Sequence, residues 1–469
     1  MEDLLTSQLA ERLGPVAVFP DDAGYDERRQ VWNALIDRFP AAIVIARDPG
    51  DVRRAVTAAA ACGLHVCIKG GGHNIAGSAV ADGALMIDMS DLKHIEIDAD
   101  HRVARVGGGA TWADLDAAAQ AFGLAVPGGV VSSTGVAGLT LGGGFGWLAR
   151  LHGLAVDNLL SAEIVLADGT IAVCSQSEHP DLFWAIRGGS GNFGVVTEFT
   201  FRLHPIGPQV LFGPTFFALE DARNVLSAYA TQAPSLPRKA CVWANLMTAP
   251  PVPVLPESVH RTKVLTLMQF HAGPAEEAQA DLKCLYAGVE PLGSAFAARP
   301  FTEAQSFLDG AYDFGARNYW RAHNHHAVTP QLIDLLVDLA PGMPSADSEL
   351  LICLLGGAVA DVGEAATAFP HRQVPFMTTP GARWRDESDD ADMIGWLKRV
   401  SEKIAAHAVP GSYVNFIAES DGKAPNAYRG NLDRLTEVKQ RYDPANLFRF
   451  NQNIAPETHS AGQRTPLTR

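Results

Sequence analysis

The glycines constrain this chain more than any other feature. There are 44 among 469 residues, and they gather into groups. Gly70-Gly71-Gly72 closes the β-rich run HVCIKG (65–70), and Gly107-Gly108-Gly109 closes RVARV. PGGVVSSTGVAGLTLGGGFGWLARLHG (127–153) forms a longer block, and another group lies at Gly188–Gly194. Backbone without a Cβ can turn through left-handed geometry or approach a ligand or another loop closely. Groups of this kind at strand ends predict loops that crowd around something.

Short β-rich runs alternate with helical patterns through the first third. AAIVIA (41–46), HVCIKG and ALMIDMS (84–90) read as strands. Pro49 and Asp51 open an amphipathic helix, DVRRAVTAAAACG, which Gly63 ends. TWADLDAAAQAFG (111–123) reads as a second helix. AEIVLADGTIAVCS (162–175) reads as a hairpin with Asp168-Gly169 at its turn. Beyond about 205 the glycine groups thin out. Helices then alternate with strand-like runs: CVWANLM (241–247), KVLTLMQFHAG (263–273) and ELLICLLGGAVA (349–360). PPVPVLPE (250–257) reads as a loop between two of these strands. YVNFIAE reads as a strand, LDRLTEVKQRY as a charged helix, and the polar tail from about 457 as frayed.

The length suits about two or three domains. With 47% hydrophobic and 19% charged residues, the composition is that of a globular protein. The net charge of −15 and the lack of a basic stripe exclude nucleic acid as a partner. No apolar run reaches the length of a membrane span. The start, MEDLLTSQLAERLG, shows no basic region followed by an apolar stretch. The six cysteines (62, 67, 174, 241, 284 and 353) form no CxxC pair. A reduced, cytoplasmic protein is expected, with no disulfide framework and no zinc site.

Gly189-Ser-Gly191-Asn-Phe-Gly194 matches GxGxxG literally. A dinucleotide fingerprint needs a strand before it and a helix after it. Here the order is helix, then the strand-like Val195-Val-Thr-Glu-Phe, which rejects the Rossmann reading. Gly70-Gly71-Gly72-His73-Asn74 has two readings: an anion nest of successive N–H groups, or a plain tight turn with an exposed histidine.

The order of the blocks separates those readings. P-(helix)-G-x-x-V-x-I-K-G-G-G-H-N-x-x-G is followed by ARVGGGATWADL, GGGFGWLARLHGLAVDNLL and DLFWAIRGGSGNFGVVTEFTF. YVNF…NLDRLTEVKQRYDPANLFRFNQNI comes last. This series resembles the vanillyl-alcohol-oxidase / PCMH-type FAD superfamily and, within it, the berberine-bridge-enzyme-like oxidases. The resemblance covers about 40–205 and 411–456 and is looser over 206–407.

The resemblance implies an α+β fold. A PCMH-type FAD-binding domain with two α/β subdomains would span 1–205. A substrate domain with an antiparallel sheet and helices would span 206–407, and 408–469 would return to the FAD domain. It also implies FAD bonded through its 8α carbon to His73. Some relatives carry a second bond, from a cysteine eleven positions before the second GGG. Val131 stands there, and no cysteine lies between 68 and 173, so a single link is expected. The pyrophosphate would lie on Gly70, Gly71, Gly72, Asn74 and Ile75, with Gly77 closing the turn. Thr134, Gly135, Gly138, Leu139, Gly142, Gly143 and Gly146 would run beside the flavin. Of these, Thr134 and Leu139 would sit near N5, where they would shape an oxygen pocket or simply pack. Asp157 and Asn158 fit the family's GLxxDN motif. Gly189, Asn192, Gly194 and Val196 would wrap the adenine end. Asn451 and Asn453 would reach the ring or its phosphates.

Hydride transfer to a flavin needs a base for the substrate's O–H or N–H proton. The candidates are Tyr413 and Asn415, placed on one face of a returning strand, and Glu349. The family often has a phenol where Phe416 stands here. Glu349 opens an apolar strand and reads either as a buried base or, more simply, as a strand-edge carboxylate in solvent. His323 and His325 share a strand face but lack matching ligands, so no metal is expected; pocket lining or plain exposure is the simpler reading. Arg372 is expected to be structural, and the acidic run Asp386–Asp392 to be solvated surface. The function implied is an oxidase of a small organic alcohol or amine, with O2 as acceptor and H2O2 as product. The alternative is a tailoring enzyme of secondary metabolism, an oxidative cyclase or oxygenase. A binding protein that kept the fold without turnover is a third reading. Substrate identity and oligomeric state do not follow from these residues.

Overall fold

The computed structural model describes residues 2–419 and 424–457. The tail beyond 457 lies outside the described residues. Helix and sheet are mixed, with three main sheets among the described residues.

The first sheet holds Ala42–Ile45, Leu85–Asp88 and Val66–Lys69 in parallel, with Ala17–Val18 antiparallel at its edge. Helix Pro49–Cys62 packs on it. Asp48 caps the helix by accepting from Asp51 N, and Gly63 ends it at φ 68°. The predicted helix thus starts two residues early, at its proline. The second sheet is antiparallel, in the order Ile95–Asp98, Val103–Gly107, Val195–Arg202, Leu159–Val165 and Ile171–Ser175. Its last pair is the predicted hairpin, with Gly169 at φ 83° in the turn. Thr111 and Asp114 form a capping box on helix Trp112–Gln120.

The third sheet is a large antiparallel one. Its central strands are Gln209–Ala218, Lys263–His271, Ala240–Thr248, Glu349–Leu354 and Phe376–Trp384, in that spatial order. Helices Ala222–Gln232, Pro330–Leu339 and Asp390–Ala405 accompany it. The run ELLICLLGGAVA is a strand only to Leu354. Gly356 and Gly357 turn it at positive φ, and Ala358–Asp361 is a helix turn.

YVNFIAE is not a strand. Val414–Phe416 forms a 3-10 turn, with Phe416 N donating to Tyr413 O. A local preference for strand yields here to tertiary contacts. Tyr413 and Asn415 turn back onto the second glycine block, and only Ile417 makes an isolated bridge, to Arg321.

Segment 31–33 clasps the sheets together. Trp32 N donates to Gly72 O, and Trp32 Nε1 donates to Tyr312 O at 2.7 Å. Asn33 is fully buried, and its amide donates to Ile75 O and Asn318 O, both at 3.0 Å. Arg372, also fully buried, grips Asp157 with two bonds of 2.7 and 2.8 Å. Removing one partner of such a pair would leave an uncompensated buried charge.

Candidate functional site

A cavity of about 800 Å³ lies between the glycine loops and one face of the large sheet. Two glycine blocks meet at its edge. A Cβ at Gly71 would stand 2.2 Å from Gly135 N, and one at Gly135 would stand 2.3 Å from Gly71 N. Neither block tolerates a side chain there. Gly72 and Gly77 both turn at φ 70°. Among the described residues, no acceptor meets the backbone N–H groups of Gly71, Gly72, His73 and Asn74. Asn74 folds its own loop, with Oδ1 accepting from Ala76 N, Ser78 N and Ser78 Oγ.

His73 projects into the cavity. Its ring stacks on Trp32 at 5.2 Å, tilted by 18°, and its Nε2 lies 2.9 Å from Ser133 Oγ. Burial lowers its pKa to about 4, so the imidazole is neutral near pH 7. A neutral ring with a free nitrogen is a nucleophile.

Many of the expected cofactor residues line this cavity: Gly70, Gly71, Gly72, His73, Asn74, Thr134, Gly135, Gly138, Leu139, Gly194, Val196 and Asn451; Val131, at the position of the second-link cysteine, lines it too. Ile75, Gly77, Gly142, Gly143, Gly146, Asp157, Gly189, Asn192 and Asn453 do not. Ile75 is buried and gives its carbonyl to Asn33. Gly142, Gly143 and Gly146 make room for Asn415, Phe369 and the Gly128 carbonyl respectively. Asp157 is held by Arg372 and caps Leu154 N. Asn158, its neighbour in the motif, bonds His204 Nε2 at 2.6 Å. Gly189 packs against the Ala185 carbonyl. Asn192 is a strut, with Nδ2 donating to Gly189 O and Oδ1 accepting from Ile454 N. Beside it the fully buried Lys439 donates to Asn192 O, Phe448 O and Asp443. That network fastens the C-terminal helix to the Gly189–Gly194 turn.

The opposite wall carries the acid. Glu349 faces the cavity from the start of its strand; it is not the solvent-facing edge residue that the simpler expectation made it. Its Oε1 accepts from Tyr312 Oη at 2.5 Å and its Oε2 from Asn245 Nδ2 at 2.6 Å. Burial pushes this carboxyl above the ordinary range, and the bonds from Tyr312 and Asn245 draw it partly back. Burial, then the charge of Glu349, keeps the Tyr312 phenol protonated far into alkaline pH. Tyr413 Oη accepts from Gly144 N at 3.1 Å and Asn415 Nδ2 at 2.9 Å, and burial pushes its pKa up to about 12.

Sequence reasoning missed Trp32, Ser133, Asn245 and Tyr312. No motif marks them, and each matters through a partner far away in the chain. His323 and His325 form the expected strand but neither line the cavity nor lie free. His323 meets Ser401 Oγ, and His325 meets His407 O and Thr378 Oγ1. In the acidic run, Asp390 departs from plain solvation by pairing with Arg317.

The FAD binding domain family model matches residues 40–175, and the berberine and berberine-like model matches 412–455. The chain thus carries an FAD binding domain and a berberine-like segment, and it is an FAD-linked oxidoreductase. It is 29% identical to an FAD-linked oxidoreductase of Bacillus subtilis over 93% of this chain and 96% of the relative. It is also 29% identical to the (R)-6-hydroxynicotine oxidase of Paenarthrobacter nicotinovorans, over 94% and 96%. Its fold matches the crystal structure of 6-hydroxy-D-nicotine oxidase from Arthrobacter nicotinovorans with a TM-score of 0.85. That match is 26% identical and covers 94% of this chain and 98% of that one.

Proposed function

We propose that this oxidoreductase is an oxidase of a small organic alcohol or amine, with FAD held covalently by His73 alone. One observation carries the reading. A neutral histidine among the glycine loops and a buried carboxylate with a phenol and an amide on it both line one cavity.

The glycine wall fits the cofactor. Four successive backbone N–H groups stand without protein acceptors, and the wall continues to Gly191, Val196 and Asn451. Such a nest suits a pyrophosphate. Bound FAD would supply the hydride acceptor and pass both electrons to O2, giving H2O2. The chain's own residues do the rest. Ionised Glu349 takes the proton from the substrate's O–H or N–H. Tyr312 and Asn245 hold the carboxylate in place through one bond to each oxygen. Trp32 and Ser133 hold the His73 ring. Tyr413 and Asn415 brace the second glycine block, Asn415 through the Leu139 carbonyl at 3.2 Å. Val131, at the position of the second-link cysteine, leaves no second tether.

In this reading 1–205 and 408–469 make the FAD-binding unit and 206–407 the substrate unit. The six free cysteines support a cytoplasmic location, and no helix among the described residues is long and apolar enough to cross a membrane. The test is acid precipitation of the purified holoenzyme. Yellow colour should stay with the protein and map to the peptide around 69–80. Free FAD in the supernatant would remove the covalent link. H2O2 formation equal to O2 consumed, with no labelled oxygen in the product, separates the oxidase from an oxygenase.

A further inference from the structure

The His73 ring is held on its face by Trp32, which stacks on it, and on its edge by the Ser133 hydroxyl, 2.9 Å from Nε2. Both holders lead to one turn, residues 308–312, just beyond helix Phe301–Ser306. Trp32 Nε1 donates to Tyr312 O at 2.7 Å. Asp309 grips Ser132, the neighbour of Ser133, with both carboxylate oxygens. Its Oδ1 accepts from Ser132 N at 2.8 Å and its Oδ2 from Ser132 Oγ at 2.5 Å, across 177 positions of chain.

The turn is itself well fixed. Asp309 N donates to Ser306 O, and Tyr312 N donates to Leu308 O and Asp309 O. Just past it, Asp313 pairs with Arg383 and Arg385. The Tyr312 phenol then reaches Glu349. One short turn thus anchors both holders of His73 and the phenol on the acid.

Leu308, Ala311 and Tyr312 line the cavity, but Asp309 and Ser132 do not. The effect of that carboxylate on whatever binds there runs through its neighbours. A plain brace between the two segments already exists nearby, where Gln305 Nε2 donates to Gly129 O at 3.2 Å. The Asp309 bonds are placed differently. They fix backbone and side chain of the residue next to the hydroxyl that meets the imidazole.

Flavin attachment is sensitive to such placement. It forms one bond, from an imidazole nitrogen to the 8α carbon. It breaks a C–H bond of that carbon and the N–H bond of the ring, and the two protons and two electrons leave on O2 as H2O2. The reacting atoms must approach to about 3–3.5 Å, and a misplacement of about 1 Å can cost about 10²-fold. We propose that Asp309 is a positioning residue for this attachment: by holding Ser132 it sets Ser133 against the edge of the His73 ring and keeps the ring in the orientation that bond formation needs. This rests on the covalent reading of His73.

The test separates attachment from flavin content. Each purified holoprotein is precipitated in acid, and flavin is measured in pellet and supernatant. Asp309→Ala should keep its flavin but carry a covalent fraction at least about three-fold below the parent's. Asp309→Asn can still accept from Ser132 N and donate to Ser132 Oγ, so it should stay near the parent. Ser132→Ala removes one of the two bonds from the other end and should lower the fraction in the same direction; it carries the test if Asp309→Ala does not fold. In a His73→Ala background, where the ring is gone, Asp309→Ala should change the FAD dissociation constant by less than about two-fold.

An unchanged covalent fraction in Asp309→Ala, or in Ser132→Ala where the first does not fold, overturns the assignment. An equal loss in Asp309→Asn and Asp309→Ala also overturns it. A larger loss of FAD affinity in the His73→Ala background makes Asp309 a brace for the whole site, which overturns it as well. Failure of the covalent reading looks different: the parent's own flavin comes free in acid. The FAD dissociation constants of the parent, the two single variants and the double variant then decide. Removing Asp309 should cost at least about five-fold more with His73 present than without it, and additive effects overturn the positioning role.

Discussion

The two walls of the cavity are made of different material. On the His73 side the working surface is backbone: bare N–H groups, left-handed turns, and two glycine blocks in direct contact. On the Glu349 side it is side chains, set out by strand alternation and held by partners from other segments. Backbone surfaces need a residue type, glycine, at fixed places. Side-chain surfaces need only that the right groups arrive together. The first kind therefore leaves a mark in sequence and the second does not. The two walls should also fail differently when damaged.

The largest expected effect is on the backbone wall. Gly71→Ala forces a Cβ to within 2.2 Å of Gly135 N, a backbone atom with no freedom to yield. Overpacking of this kind costs about 3 kcal/mol. The protein should be recovered with little flavin and a clearly lower melting temperature. Gly138→Ala is the contrast. It also lines the cavity, but its Cβ would meet nothing within 4 Å. Placed in helix Val136–Leu141, the alanine should leave the melting temperature equal or higher. Equal melting temperatures for the two variants would break the claim that the contact between the glycine blocks excludes a side chain.

The side-chain wall should lose chemistry and keep structure. Glu349→Gln preserves shape and removes the base. Flavin reduction under anaerobic conditions should slow by about 10²–10⁴-fold, the usual worth of a positioned base. Flavin content should not change. A Glu349→Gln protein that reduces its flavin at the parent rate would move the base elsewhere.

Tyr312→Phe has a smaller effect, and its sign is fixed by the electrostatics. Burial raises the Glu349 pKa, and the Tyr312 bond lowers it. Without that bond the pKa rises further, and less of the base is ionised at a given pH. The acid limb of kcat/KM should move to higher pH, with about a ten-fold loss on that limb if the shift is one unit. Activity should recover as pH rises. A uniform loss at all pH values would assign Tyr312 to packing instead. The phenol adds no limb of its own near neutrality, because burial and Glu349 hold it protonated.

The same division explains what the sequence disclosed. The glycine groups, the helix opened by Asp48 and Pro49, and the turn at Gly169 follow from local rules, and they fall where expected. Trp32 and Asn33 lie in a stretch with no periodicity, yet they join the His73 loop to the substrate sheet. Tyr312 lies 37 positions from Glu349 and is visible only as its partner. Asp157 and Asn192 sit in motif positions but do not reach the cavity. Their carboxylate and amide hold neighbouring segments instead. The Tyr413 run has strand-like residues and turns as a 3-10 segment, because its contacts with Gly144 and Leu139 outweigh a four-residue preference.

The smallest expected effect separates two asparagines that sequence treated alike. Asn451 lines the cavity beside Gly191, and Ser190 Oγ donates to its Oδ1 at 3.4 Å. Asn453 does not line the cavity, and its buried Oδ1 has no hydrogen-bond partner. Asn453→Ala deletes an acceptor that makes no bond, so stability should stay within about 0.5 kcal/mol and flavin content should hold. Asn451→Ala should instead lower flavin retention after denaturant-assisted dialysis in a His73→Ala background, where no covalent tether masks the loss. If Asn453 proves the more costly of the two, the C-terminal segment meets the cofactor with the opposite face of its chain. The cavity wall would then have to be redrawn by two residues.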